Sequence, residues 1–102
     1  MKNIFWTAYC RESRFVAVHK VEDIVGEFGF ITDFKQFSDV SISIKIEIEE
    51  NRIQEMYHAL NGYIEMNPPG EEYSDSPRER NLYINITFTQ SEGNVRRDVP
   101  QV

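Results

Sequence analysis

Two pairs of residues in the sequence have the types and spacing that metal chemistry uses. Glu55 and His58 form an E-x-x-H motif on a predicted helix, where residues three apart are surface neighbours. Two such motifs hold a di-iron centre in some four-helix bundles, whereas this chain has one. His19 and Asp23 lie four apart on another predicted helix. Because the sequence does not bring the two histidines together, we interpret both pairs as solvated polar neighbours and predict no metal site.

Cys10 is the single cysteine of the chain and the one candidate nucleophile. Arg11 and Arg14 follow it, and cationic neighbours lower the pKa of a thiol and make it reactive. A lone cysteine on an apolar strand is more often a small buried hydrophobe, which is what we expect here. The chain also has no glycine-rich phosphate loop, so the sequence predicts no cofactor and favours a protein that is not an enzyme.

Length, charge and cysteine content limit the classes of protein to which the chain can belong. The chain has 102 residues, the length of a single domain (1–102) with one core, and a formal net charge of −6. This acidic balance argues against nucleic-acid binding, and the apolar runs are too short for a membrane-spanning helix. One cysteine excludes an intrachain disulfide and is typical of a reducing compartment, so we expect a cytoplasmic location.

The spacing of apolar side chains predicts the elements that would position these residues. Residues 3–10 are rich in aromatic and β-branched side chains and predict a central strand covered on both faces. Residues 13–28 repeat apolar side chains at intervals of three and four, which indicates a helix capped by Ser13 and ended by Gly29. The alternative is that residues 13–20 form a strand that pairs back on the first one.

The middle of the chain predicts a hairpin. Residues 30–37 indicate a second strand, and Ser38 and Asp39 make a tight polar connection. The stretch DVSISIKIEIEE (39–50) then alternates apolar and polar residues for ten positions. Val40 and the four isoleucines fall on one side, which we expect to face the core, and the polar residues fall on the other.

The second half of the chain predicts a helix, a loop and a strand. Asn51 is a good N-cap and Gln54 lies three residues later, as in a capping box, so we expect a helix to begin there. Residues 65–80 contain three prolines and many charges and predict a mobile surface loop. Residues 82–89 alternate as a last strand, and residues 90–102 form a polar C-terminal tail.

The predicted order of strand, helix, strand, strand, helix, strand is the split βαβ arrangement. Over about residues 3 to 89 the chain therefore resembles the ferredoxin-like class of small α+β domains, in element order only. The resemblance implies a four-stranded antiparallel sheet with strand order 4-1-3-2 and two helices on one face. It implies no role for any residue, because this fold hosts many unrelated activities.

Two helices on one face would leave the other face of the sheet open. The candidate interaction residues on that face are Tyr9, Ser41, Ser43, Tyr83, Asn85 and Thr87. The function that this pattern favours is self-association, as a homodimer, through the open face or an edge strand. The alternative is a small-molecule-binding or enzymatic domain with a pocket between the sheet face and the loop at 65–80. A merely solvated face is the third interpretation.

Overall fold

The computed structural model describes residues 3–70 and 72–89, and within them the chain forms an α+β fold, as predicted. The strands are β1 (Ile4–Cys10), β2 (Gly29–Ser38), β3 (Ser41–Glu49), β4 (Glu65–Met66) and β5 (Glu79–Phe88). The helices are α1 (Arg14–Gly26) and α2 (Ile53–Asn61), with a 3-10 turn at Glu50–Arg52. None of the described helices combines the length and the apolar composition needed to cross a membrane. The predicted tail at 90–102 lies outside the described residues.

Helix α1 begins as predicted, which settles the open choice between helix and strand. Ser13 is the N-cap, and its side-chain oxygen accepts a hydrogen bond from the backbone N–H of Val16 at 3.5 Å. The helix ends at Gly26, earlier than predicted, because Gly29 is already the first residue of β2. A Cβ at Gly29 would lie 2.6 Å from the carbonyl oxygen of Glu47. Gly29 therefore permits close strand pairing and does not end the helix.

The predicted N-cap at Asn51 is wrong. Asn51 lies inside the 3-10 turn, and α2 begins at Ile53 without a side-chain cap. The backbone N–H of Asn51 donates to the carbonyl oxygen of Ser76 at 2.9 Å. In a capping box that N–H would donate to the side chain of Gln54. The backbone N–H of Asn51, which the capping box would use, therefore donates to a residue distant in sequence instead.

The order of the strands corrects the predicted topology. The five strands follow one another as β2-β3-β5-β1-β4, so the last long strand lies between β1 and β3 and not outside β1. It pairs parallel with β1, from Ile4 and Leu82 to Cys10 and Phe88, and antiparallel with β3. The sheet is therefore five-stranded and mixed, not a four-stranded antiparallel sheet of order 4-1-3-2. The same element order is compatible with both arrangements, and only long-range pairing distinguishes them.

Both helices cover one face of the sheet. The inward side chains of the strands share a single buried core with the inward sides of α1 and α2. The sheet half of this core consists of Ile4, Trp6, Ala8, Cys10, Ile42, Ile44, Ile46, Ile48, Leu82, Ile84, Ile86 and Phe88. The predicted apolar sides of β3 and β5 are thus confirmed. The prediction that β1 is covered on both faces is wrong, because Phe5 is 67% exposed and Tyr9 is 41% exposed.

A buried carboxylate joins the 3-10 turn to the segment before β5. Glu50 accepts hydrogen bonds from the backbone N–H of Ser74 at 2.7 Å and from the guanidinium groups of Arg78 and Arg80 at 2.9 Å. The hydrogen bonds from Ser74, and then those from the two arginines, lower the pKa of Glu50 to about 2. The carboxylate is therefore charged at neutral pH and fixes the path of the chain into β5.

Candidate functional site

The sheet face opposite the helices carries all six residues that the sequence analysis selected. They are Tyr9, Ser41, Ser43, Tyr83, Asn85 and Thr87, and they alternate with the buried residues of the same strands. Strand pairing sets Ser43 beside Asn85 and Ser41 beside Thr87 on neighbouring strands. We call this surface, made of the outward side chains of β1, β2, β3 and β5, the open face.

Two neighbouring rows of side chains run across the strands and give the open face its relief. The first row, which we call the ridge, has one residue on each of β2, β3, β5 and β1, in that order: Asp33, Lys45, Tyr83 and Phe5. The second row, which we call the trough, has one residue on each of the same strands in the same order: Lys35, Ser43, Asn85 and Thr7. On β3, β5 and β1 a long or aromatic side chain of the ridge therefore stands next to a shorter one of the trough.

Ring contacts hold the ridge in place. The rings of Phe5 and Tyr83 stack with centroids 5.1 Å apart and an interplanar angle of 14°. The Nζ atom of Lys45 lies 5.9 Å from the centroid of the Tyr83 ring, within the range of a cation–π contact. On β2, the Nζ atom of Lys35 lies 4.0 Å from the carboxylate of Asp33 and links the two rows. The ridge is thus partly preorganised before anything binds to it.

The trough forms a shallow cavity of about 300 Å³. It is lined by the trough residues Lys35, Ser43 and Asn85, by the four residues of the ridge and by Phe37 of β2. Within the described part of the chain, the side chains of Ser43 and Asn85 make no hydrogen bond to another residue. Their polar groups are therefore available to a surface or molecule that enters the trough.

Three phenylalanines on the open face are largely in contact with water. Phe5 is 67% exposed, Phe30 is 73% exposed and Phe37 is 66% exposed. Single exposed apolar side chains are normal, whereas a large contiguous apolar area is typical of interaction surfaces. None of the three is among the candidate residues predicted from the sequence, and two of them, Phe30 and Phe37, lie on the edge strand β2.

The edge strand β2 explains why those two phenylalanines were missed. Its register with β3 shifts twice, between Ile31 and Asp33 and between Gln36 and Ser38. A bulge changes the face toward which the following residues point, so simple alternation fails along this strand. The bulges also interrupt the regular edge that another strand would need for pairing. The β2 edge is therefore poorly suited to pairing with a strand of another molecule.

The two histidine and carboxylate pairs lie on exposed parts of the helices. Glu55 and His58 are both exposed on α2. The Nδ1 atom of His19 lies 3.8 Å from the carboxylate of Glu22, so its acidic neighbour is not Asp23. Among residues 3–70 and 72–89, no group of three or more His, Cys, Asp or Glu side chains could hold a metal ion.

Cys10 lies in the core, 2% exposed. Burial raises the pKa of its thiol, which therefore stays protonated and is a weak nucleophile at neutral pH. Arg14, which could have lowered that pKa, donates instead to the backbone oxygen of Asp39 at 3.2 Å. The neighbouring Tyr63 is buried in part and donates a hydrogen bond to Glu12, and both effects raise its pKa. Neither group is activated for chemistry.

The segment between α2 and β5 touches both sides of the sheet. The hydroxyl of Tyr73 accepts a hydrogen bond from Nε1 of the core residue Trp6 at 3.1 Å, on the helix side. On the open face, the side-chain amide of Asn67 donates to the hydroxyl of Thr7. The start of the segment is therefore bonded to β1 on the open face, and its middle packs against the helix-covered core.

Comparisons with protein-family models, with curated proteins and with solved structures found no match to this chain. Its function is therefore inferred from the geometry of the open face.

Proposed function

We propose that the protein self-associates as a homodimer through its open face and that it is not an enzyme. The observation that carries this proposal is the exposure of Phe5, Phe30 and Phe37 on the face that the helices leave uncovered. Full burial of one such side chain contributes about 1.5–3 kcal/mol. Three of them on one face therefore favour association over remaining in water.

The charges of the open face suit a second copy of the same chain. The outward acids of the four strands are Asp33, Glu47, Glu49 and Glu79 and the outward lysines are Lys35 and Lys45, so the open face carries a net charge of −2. The three glutamates lie toward one end of the face, so two copies that run in opposite directions keep their acidic ends apart, although each chain carries a net charge of −6. A nucleic acid would instead require an excess of basic side chains.

The size of the open face suits a dimer of modest affinity. Strands about 4.8 Å apart that rise about 3.4 Å per residue give four strands of nine residues a footprint of roughly 20 by 30 Å. This is about 600 Å² per copy, or about 1,200 Å² in total, the lower end of stable interfaces. We therefore expect a dissociation constant on the order of micromolar.

Sedimentation velocity over a range of protein concentrations tests the proposal. Between roughly 1 μM and 1 mM the weight-average mass should rise from that of one chain toward that of two. A mass that stays at one chain over the whole range would contradict self-association.

A second candidate function is small-molecule binding in the trough. Its volume of about 300 Å³ reaches the lower limit of ligand pockets, and Ser43 and Asn85 contribute polar groups to its lining. A thermal-shift screen on dilute, monomeric protein tests this candidate, because a bound ligand raises the melting temperature. Loss of such a shift in Asn85→Ala, with the melting temperature of the free protein unchanged, would place the ligand in the trough.

We further propose a cytoplasmic location. The single cysteine is a buried, protonated thiol, which a reducing compartment tolerates and which has no disulfide partner in the chain. Fractionation of cells that produce the protein tests this location.

A further inference from the structure

We propose that two copies stack face to face about a twofold axis that runs across the strands between the ridge and the trough. This register rests on the self-association proposed above and specifies how the partner, a second copy of the chain, is recognised. Each ridge then lies in the trough of the other copy.

Symmetry leaves few ways to pack this face against its own copy. In a face-to-face twofold dimer the axis lies in the interface plane, and both copies use the same surface. An axis along the strands would set ridge against ridge and leave both troughs empty. An axis across the strands reverses the strand direction and sets each ridge against a trough, which fills the space between the sheets.

The ridge and the trough match each other strand by strand about this axis. On β3 Lys45 lies over the partner's Ser43, and on β5 Tyr83 lies over the partner's Asn85. On β1 Phe5 lies over the partner's Thr7. At each of these positions a large side chain of one copy meets a shorter side chain of the other, as close packing of an interface requires.

The residues of β2 match as well. The same axis sets Asp33 against the partner's Lys35, and symmetry repeats this contact of opposite charges. One row farther out on each side, Phe30 meets the end of β2 that carries the partner's Phe37. Phe30 and Phe37, which are 73% and 66% exposed in the single chain, thereby bury each other.

A charge-swap experiment tests this register. Asp33→Lys gives a chain with two lysines at positions 33 and 35, and Lys35→Asp gives a chain with two aspartates. Each variant alone sets like charges against each other at both symmetric contacts, so its dissociation constant should rise about tenfold. In an equal mixture every lysine faces an aspartate, so a heterodimer should form with about the affinity of the unchanged protein.

Sedimentation equilibrium of each variant and of the mixture, with native mass spectrometry to identify the heterodimer, gives the readout. Both side chains are largely exposed, so the variants should fold, which circular dichroism checks. Asp23→Lys is the matched control, because it makes the same charge change on the exposed side of α1 and should not alter the dissociation constant.

The outcomes separate this register from self-association itself. If the unchanged protein dimerises but the mixture binds no more tightly than either variant alone, the register is wrong and self-association stands. Variants that dimerise as tightly as the unchanged protein would also overturn the register. An unchanged protein that stays at the mass of one chain would refute self-association and the register with it.

Discussion

Replacing Ile44 by alanine tests which face of β3 stabilises the fold. Ile44 is fully buried and pairs with Ile84 on β5 and Phe34 on β2, in the middle of the sheet. The substitution removes most of a buried side chain and opens a cavity under the helices. Such a truncation costs about 2–5 kcal/mol. Since a domain has about 5–15 kcal/mol of net stability, the loss should be a large fraction of the total.

Urea denaturation followed by circular dichroism measures this loss. With a slope of about 2 kcal/mol per molar urea, the midpoint should fall by roughly 1–2.5 M. Each kcal/mol changes the melting temperature of a domain of this size by about 4–8 °C, so the melting temperature should fall by at least 8 °C or so. The measurement is made on dilute protein, below the concentration at which it associates.

Ser43→Ala is the matched control, because Ser43 precedes Ile44 in β3 and points to the open face. It should change the free energy of unfolding by no more than about 0.5 kcal/mol. Ile44→Asp should prevent folding, since it buries an unpaired charge. Equal midpoints for Ile44→Ala and Ser43→Ala would show that the two faces of β3 are wrongly assigned, and the open face would then have no basis.

Three further predictions concern stability and reactivity. The pKa of Glu50 is lowered from its ordinary value of 4.5 to about 2. The ionised carboxylate therefore stabilises the fold fully above pH 4.5, and this stabilisation is lost as the pH falls from 4.5 to about 2. Glu50→Gln should remove this part of the pH dependence of the urea midpoint; an unchanged profile would contradict the role of the carboxylate. Gly29→Ala should lower stability by about 1–3 kcal/mol, because the added Cβ would lie 2.6 Å from the backbone oxygen of Glu47. Gly26→Ala, where no atom lies within 4 Å of the added Cβ, is its control and should not destabilise the protein. Cys10 should react with a thiol reagent rapidly in urea and very slowly in the native protein, and rapid labelling of the native protein would show that the thiol is accessible.

The sequence predicts the faces of β3 and β5 well, for a physical reason. Successive side chains of a strand point to opposite faces of the sheet. A strand with one face under the helices and the other exposed therefore has a strictly alternating apolar–polar sequence. Ile42 to Ile48 on β3, and Leu82 to Phe88 on β5, follow this rule without interruption and are buried at every second position. The open-face residues on these strands, such as Ser43 and Asn85, are therefore predictable from the same pattern.

The order of the strands was not predictable in the same way. Strand order depends on which strands pair, and Trp6 is paired with Ile84, far along the chain. The alternation of a strand is the same whichever neighbour it has, so β5 could not be placed between β1 and β3 from its sequence. Two local departures from regular structure were not predictable either. The bulges of β2 change the face on which Phe37 lies. At Asn51, a hydrogen bond to Ser76 replaces the expected helix cap.

The most direct test of the central claim compares two exposed phenylalanines on opposite sides of the molecule. Phe5 lies on the open face and is 67% exposed, and Phe15 lies on α1 and is 75% exposed. Phe5→Ser and Phe15→Ser remove the same side chain at similar exposure, so only its location differs. Sedimentation equilibrium should show a dissociation constant raised about tenfold or more by Phe5→Ser and unchanged by Phe15→Ser. Equal dissociation constants for the two variants would contradict self-association through the open face.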